Sequence, residues 1–330
     1  MTNAILLVCD ALRYDHVVPE YMPNLCKYAK ISAVFSQCFA IGGATRQSMP
    51  AIFSSAKEYD KENNLATILS KNNITTGMVH SNPLLKEFSH GFTQRETTYK
   101  EDWKITLKKI LKTLGIWRKT RGIRRRASPE KVHTMPYRRA EMLLKESQIW
   151  INKAKGPWFF WTQLMDPHIP YLPPNYDEVS LQEMRLLNDK ILDSLYKEAT
   201  IDETEKEIIK ELYKAEIKYM DEQLGKFLFS VTKNNPDTLV IITSDHGDEF
   251  GEYGFYSHAP GKHGLIPQLN HIPLMISHLN IPPKIYDEYV SHLDIPTTIL
   301  DFFGLDIKLG YGNSLLPLLT EKNKTIHGDY

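Results

Sequence analysis

The stretch Thr238-Leu239-Val240-Ile241-Ile242-Thr243-Ser244 runs straight into Asp245-His246-Gly247-Asp248-Glu249-Phe250-Gly251-Glu252. A short, continuous apolar run is what a strand needs when both faces of its sheet are covered, as in parallel sheets. Its abrupt end at adjacent carboxylate and imidazole groups places them at the carboxyl edge of such a sheet. Further runs have the same character: residues 4–9, ending at Asp10; residues 158–165, ending at Asp166; and the shorter 273–276. Helical spacing of apolar residues falls between them, around 140–153, 203–231 and 291–303. Strands alternating with helices predict an α/β fold with a mostly parallel central sheet flanked by helices. Open sheets of this kind bind ligands beyond the carboxyl ends of their strands. Asp10, Asp166 and Asp245 are therefore expected to converge on one site.

The chain has 330 residues, with 40 basic and 40 acidic side chains. Zero formal net charge excludes a global electrostatic pull toward nucleic acid, so any such attraction has to be local. The expected organisation is one α/β domain over residues 1–330 with a short C-terminal elaboration, long enough to bury a large core. Cys9, Cys26 and Cys38 are too few and too clustered for a disulfide framework and fit a reducing compartment. The apolar run at 4–9 lacks a basic leader and is too short for a signal peptide. No stretch approaches the roughly 20 apolar residues of a membrane span. The expected location is cytoplasmic, with peripheral membrane attachment left open.

That opening comes from an insertion at about 103–126. It carries Lys104, Lys108, Lys109, Lys112, Arg118, Lys119, Arg121, Arg124, Arg125 and Arg126, with Trp103, Leu107, Ile110, Leu111, Leu114 and Trp117 at helical spacing. The pattern reads as a basic amphipathic helix followed by a basic loop. It suits an anionic membrane surface or a lipid-linked phosphate substrate, and equally a solvated helix packed on the domain by its apolar face. Nothing beyond charge suggests nucleic acid, and the sequence is silent on oligomeric state.

Chemistry concentrates in three places. Asp245 and His246 offer a hard oxygen and an imidazole, a pairing suited to Zn²⁺ or Mn²⁺ and less well to Mg²⁺ or Ca²⁺; an acidic capping loop is the alternative. Asp10-Ala11-Leu12-Arg13-Tyr14-Asp15 puts a carboxylate at the same edge, and Arg13 can pair with a carboxylate or a substrate oxyanion. In Gly42-Gly43-Ala44-Thr45-Arg46-Gln47-Ser48-Met49-Pro50, two glycines precede a hydroxyl residue near a helix start. A helix N-terminus favours anions and lowers the cost of an alkoxide.

Taken in order, Asp10, the Gly42–Ser55 loop and helix, Asp166-Pro167-His168-Ile169-Pro170-Tyr171 and Ser244-Asp245-His246-Gly247 resemble the sulfatase branch of the alkaline phosphatase superfamily. The likeness continues through the helix at 213–224, His292-Leu293-Asp294-Ile295-Pro296-Thr297 and Asn313-Ser314-Leu315-Leu316-Pro317, leaving out only 103–126. It implies that Asp10, Asp245 and His246 hold one divalent metal ion, with the nucleophile's hydroxyl as a further ligand. Counting back from Ala51-Ile52-Phe53-Ser54-Ser55 puts that nucleophile at Thr45. His168 then contacts substrate oxygens, and His258 serves the leaving oxygen. Arg46, Arg13 and His263 are the expected substrate contacts, and Asp166, His168 and His263 are candidates for a second metal. Sulfatases convert Cys or Ser in Cys/Ser-x-Pro-x-Arg to formylglycine. Thr45 cannot give that aldehyde, and neither Cys38 nor Ser48 has the full motif after it. The resemblance thus points to phosphoric ester hydrolysis, meaning phosphatase, phosphodiesterase or phosphonate hydrolase activity, or to phospho-group transfer. Sulfate ester hydrolysis is the alternative, and a catalytically silent binder of anionic lipid or polymer is an alternative of another class.

Overall fold

The computed structural model describes residues 2–97, 135–194, 199–258 and 265–320. The basic segment at 103–126, expected to be an insertion, and His263 lie outside the described residues. In chain order the elements are β1 (Asn3–Cys9), α1 (Pro23–Ala29), β2 (Ala33–Phe39), α2 (Thr45–Ser54), α3 (Leu65–Lys71), β3 (Thr75–His80), β4 (Gln94–Thr97), α4 (Ala140–Lys153), β5 (Trp158–Leu164), α5 (Leu181–Ser194), α6 (Glu203–Asn234), β6 (Thr238–Ser244), α7 (Pro267–Asn270), β7 (Leu274–Ser277), β8 (Lys284–Ser291), α8 (Asp294–Phe302) and α9 (Leu316–Leu319). The strands form one eight-stranded sheet in the order β4-β3-β5-β1-β6-β7-β2-β8. All neighbours pair in parallel except β7, which runs antiparallel to both β6 and β2.

Both faces of the sheet are covered, as the unbroken apolar runs require. Successive side chains on a strand point to opposite faces. On β1, Ile5, Leu7 and Cys9 therefore join a core with residues of α4, α5 and α6, including Leu143, Ile191 and Ile217. Ala4, Leu6 and Val8 join the other, with Ile52 of α2, Leu69 of α3 and Ile299 of α8. Burying a Leu, Ile or Phe side chain contributes roughly 1.5–3 kcal/mol, so a polar substitution on either face of β1 is equally disruptive. Local signals fix the helix starts. Asp202 accepts from Glu205 N–H while the Glu205 side chain accepts from Asp202 N–H, a reciprocal cap on α6. Asn64 accepts from Thr67 N–H at the head of α3.

Register positions the site. Cys9 is paired with Leu164 on one side and Ser244 on the other. The residues one step beyond, Asp10 and Asp245, therefore leave the sheet side by side on neighbouring strands.

Candidate active site

Asp10, Asp245 and His246 are all fully buried. One ligand atom from each lies within 4.8 Å of the others. His246 Nε2 is 3.6 Å from both Asp10 Oδ1 and Asp245 Oδ2. Its Nδ1 lies 2.7 Å from the Gly247 carbonyl, which can only accept. Nδ1 therefore carries the proton, and the lone pair of Nε2 faces the carboxylates. Gly247 allows this fit: a Cβ there would lie 2.0 Å from the Gln268 carbonyl oxygen.

Thr45 joins them from α2. Its Oγ1 is 3.3 Å from His246 Nε2 and 3.5 Å from Asp10 Oδ2, and the side chain is buried. The preceding loop is tight, since a Cβ on Gly42 would meet Gln47 Cβ at 2.2 Å. Ser48, the other hydroxyl considered by motif, donates instead to the Gly42 carbonyl at 3.0 Å and braces that loop.

Two imidazoles complete the cluster. The His258 ring centroid is 4.2 Å from that of His246 and 4.8 Å from that of His168. Asp248 Oδ1 accepts from His258 Nδ1 at 3.1 Å, and Asp248 Oδ2 accepts from the Tyr171 hydroxyl at 2.5 Å. His168 Nδ1 donates to the Ile169 carbonyl at 2.6 Å. Tyr137 packs edge-on against His168.

Electrostatics follow from this crowding. Burial and the neighbouring Asp245 push the Asp10 carboxyl up to about 7. Burial works against a charged His246, yet Asp245 and Asp10 hold its pKa above the ordinary value. Burial and the nearby His246 depress His258, against the pull of Asp248. Two buried carboxylates without a cation are costly. Asp10 Oδ1 has no hydrogen-bond partner. Two carboxylate oxygens, an imidazole lone pair and a hydroxyl make a donor set that fits a divalent ion such as Zn²⁺ or Mn²⁺.

Three expectations need correction or relocation. Asp166 sits at the end of β5 but its carboxylate turns away, accepting from Ala140 N–H at 3.0 Å and pairing with Arg139 at 3.5 Å. It caps α4 instead of joining Asp10, Asp245 and His246. Arg13, expected to meet a substrate oxyanion, is engaged by Asp15 at 2.6 Å, Glu252 at 2.5 Å and the Asp248 carbonyl at 3.2 Å. It braces the 248–252 loop against the turn after β1. Arg46 reaches Glu87 at 3.4 Å with a side chain 64% exposed, a pair worth little in water. The motifs also left out Gln163, whose amide lies 2.6 Å from Asp10 Oδ2. A polar residue inside the apolar run of β5 was the signal for it.

This fold is that of solved structures in the alkaline phosphatase superfamily, among them hydrolases and a transferase. The chain belongs to the sulfatase family, whose profile matches residues 2–305. It is 25% identical over 196 residues to the choline-sulfatase of Rhizobium meliloti (strain 1021), an alignment covering 53% of this chain and 38% of that protein. The chain thus spans well under two thirds of that relative's length. Among solved structures, the phosphonate monoester hydrolase of Agrobacterium radiobacter superposes with a TM-score of 0.69 at 18% identity, covering 98% of this chain and 78% of that one. The soluble domain of lipooligosaccharide phosphoethanolamine transferase A from Neisseria meningitidis gives 0.63 at 18% identity, with 91% and 87% covered. Among the described residues no helix is long and apolar enough to cross a membrane.

Proposed function

We propose that the protein is a metal-dependent phosphoric ester hydrolase or phospho-group transferase in which Thr45 is the nucleophile. The observation that carries the reading is the Thr45 hydroxyl, 3.3 Å from His246 Nε2 and 3.5 Å from Asp10 Oδ2 inside the metal-binding group. Asp10, Asp245, His246 and Thr45 would hold the ion. When bound, it would lower the pKa of the Thr45 hydroxyl and neutralise charge on a substrate oxygen.

The residues then divide the work. Thr45 Oγ attacks phosphorus from the first turn of α2, and a helix N-terminus favours an anion. The Thr45 proton passes through solvent to Nε2 of His258, whose Nδ1 proton is held by Asp248, and His258 delivers it to the leaving oxygen as that oxygen's bond to phosphorus breaks. His168, whose ring lies beside that of His258, would contact the substrate oxygens. In the second half, water or an acceptor alcohol gives its proton to His258, attacks phosphorus and releases Thr45. A water acceptor makes the protein a hydrolase and an alcohol makes it a transferase.

The choline-sulfatase likeness favours a second reading, sulfate ester hydrolysis. Thr45 opposes it because threonine cannot yield formylglycine. We place the site in a single α/β domain with 103–126 as an insertion. From its composition alone, that insertion is proposed to bring an anionic surface or a lipid-linked phosphate substrate to a cytoplasmic enzyme. Co-sedimentation with anionic but not neutral vesicles, lost at high salt, is the expected behaviour; indifference to anionic vesicles at low salt removes that part.

The test of activity is a panel of chromogenic phosphate monoesters, phosphate diesters, phosphonate monoesters and sulfate esters, each with Mn²⁺, Zn²⁺, Mg²⁺ and Ca²⁺. A phosphorus ester should turn over fastest, and chelation should abolish it. Faster turnover of the sulfate ester overturns the reading.

A further inference from the structure

Gln163 is the penultimate residue of β5 and is fully buried. A carboxamide in the middle of a covered sheet needs a reason. Its Nε2 donates to Asp10 Oδ2 at 2.6 Å and to Asp245 Oδ2 at 3.2 Å, so one amide group spans both carboxylates. Its Oε1 is buried without a hydrogen-bond partner.

The two carboxylates are anchored very differently. Asp245 is held through Oδ1 by two backbone donors, Ala11 N–H at 3.2 Å and His246 N–H at 3.0 Å. Among the described residues no backbone N–H supports the Asp10 carboxylate. Its side-chain donors among the described residues are the Gln163 amide and, more distantly, the Thr45 hydroxyl. Once Thr45 gives up its proton to attack, Gln163 is the donor that remains. Its hold on Oδ2 leaves Oδ1, the unpartnered oxygen, on the side of His246.

We propose that Gln163 is a positioning residue of the metal centre, which ties the Asp10 carboxylate to that of Asp245 and presents Asp10 Oδ1 to a divalent cation. This rests on the metal-dependent reading given above. Partners one step removed from a metal typically change affinity 10–100-fold when removed, and Gln163 is neutral, so it orients the ligands without adding charge to the site.

The test is binding of Mn²⁺ alone to the full chain after chelation, followed by calorimetry, with Gln163→Met as a near-isosteric variant lacking the amide. The dissociation constant should rise 10–100-fold. The circular dichroism spectrum should stay close to wild type. The electron paramagnetic resonance spectrum of the bound Mn²⁺ should also change, which a role in core filling alone would not produce. Gln163→Ser provides a second variant if the first fails to fold, with the same expectation. A dissociation constant within twofold of wild type in a folded variant overturns the inference and leaves the metal reading intact. Failure of the wild-type protein to bind Mn²⁺ or Zn²⁺ overturns both.

Discussion

Replacing Thr45 with alanine separates chemistry from stability more sharply than any other change at this site. The hydroxyl makes two long contacts, 3.3 Å to His246 Nε2 and 3.5 Å to Asp10 Oδ2. Hydrogen bonds of normal length contribute about 0.5–1.5 kcal/mol net, so losing these costs less than about 1 kcal/mol of folding free energy. Loss of the attacking atom is of another order. A covalent route that loses its nucleophile falls by at least about a thousandfold, which at 1.36 kcal/mol per decade is about 4 kcal/mol of transition-state stabilisation. Release of 4-nitrophenolate from the best ester in the panel, measured per folded, metal-loaded protein, reads the second number; a thermal melt reads the first. Ser48→Ala is the paired control. It removes the 3.0 Å bond to the buried Gly42 carbonyl and should cost about 1 kcal/mol of stability with at most about a tenfold loss of turnover. If Ser48→Ala abolishes turnover while Thr45→Ala leaves it within tenfold, the nucleophile has been misassigned by one helical turn.

Other expectations follow from the same geometry. Asp245→Asn should weaken Mn²⁺ or Zn²⁺ binding and abolish turnover, because an amide is a poor substitute for a carboxylate ligand; calorimetry showing wild-type affinity would count against it as a ligand. His258→Ala should slow esters of poor leaving groups, roughly 10²–10⁴-fold, and barely affect nitrophenyl esters, which need no proton; equal losses on both would deny it the role of general acid. Glu216 lies behind the site, facing Arg139 together with Asp166, so one guanidinium serves two buried carboxylates. Burial, opposed by Arg139 and reinforced by Asp166, pushes Glu216 up from 4.5 to about 8, and Asp166 rises in the same direction, to about 6. A carboxyl raised on folding contributes stability that is full below its unfolded pKa and is lost as pH rises through the folded one. Glu216→Gln should therefore gain melting temperature relative to wild type between pH 5 and pH 9; a constant difference across that range would contradict the shared-charge arrangement.

What could be read from the chain alone followed burial. β1, β5 and β6 were visible because strands covered on both faces carry unbroken apolar runs, and the ends of β1 and β6 bring Asp10 and Asp245 side by side. The helix at Ala140–Lys153 was legible to its ends, whereas the expected 203–231 extends to Asn234. β2 and β8 escaped notice. β8 is an edge strand whose Ile285 and Tyr289 are exposed, so its alternation does not follow a buried face. β2 interrupts its apolar residues with Ser36 and Gln37. The expected helix at 291–303 begins only at Asp294, because Ser291 still closes β8. Asp166 shows where strand-end logic fails: its carboxylate is claimed by Arg139 and Ala140, distant in sequence and met only after folding. Arg13 failed likewise, since its Glu252 partner is 239 residues away.

The proposed ligand set has a thermodynamic side as well. Asp10 and Asp245 are joined by the Ala11 N–H to Asp245 bond across 234 residues of chain, so an unfolded chain holds no such pair of carboxylates. An ion that binds only the folded form adds RT ln(1 + [L]/Kd), about 4 kcal/mol at a thousandfold excess over Kd. That is comparable to the whole stability of a marginal domain. Metal content would then set the melting temperature of the protein as much as its core does, and a chelator would act as a denaturant of modest strength. The size of that shift ranks variants of Asp10, Gln163, Asp245 and His246 by their grip on the ion, with no substrate in the cuvette.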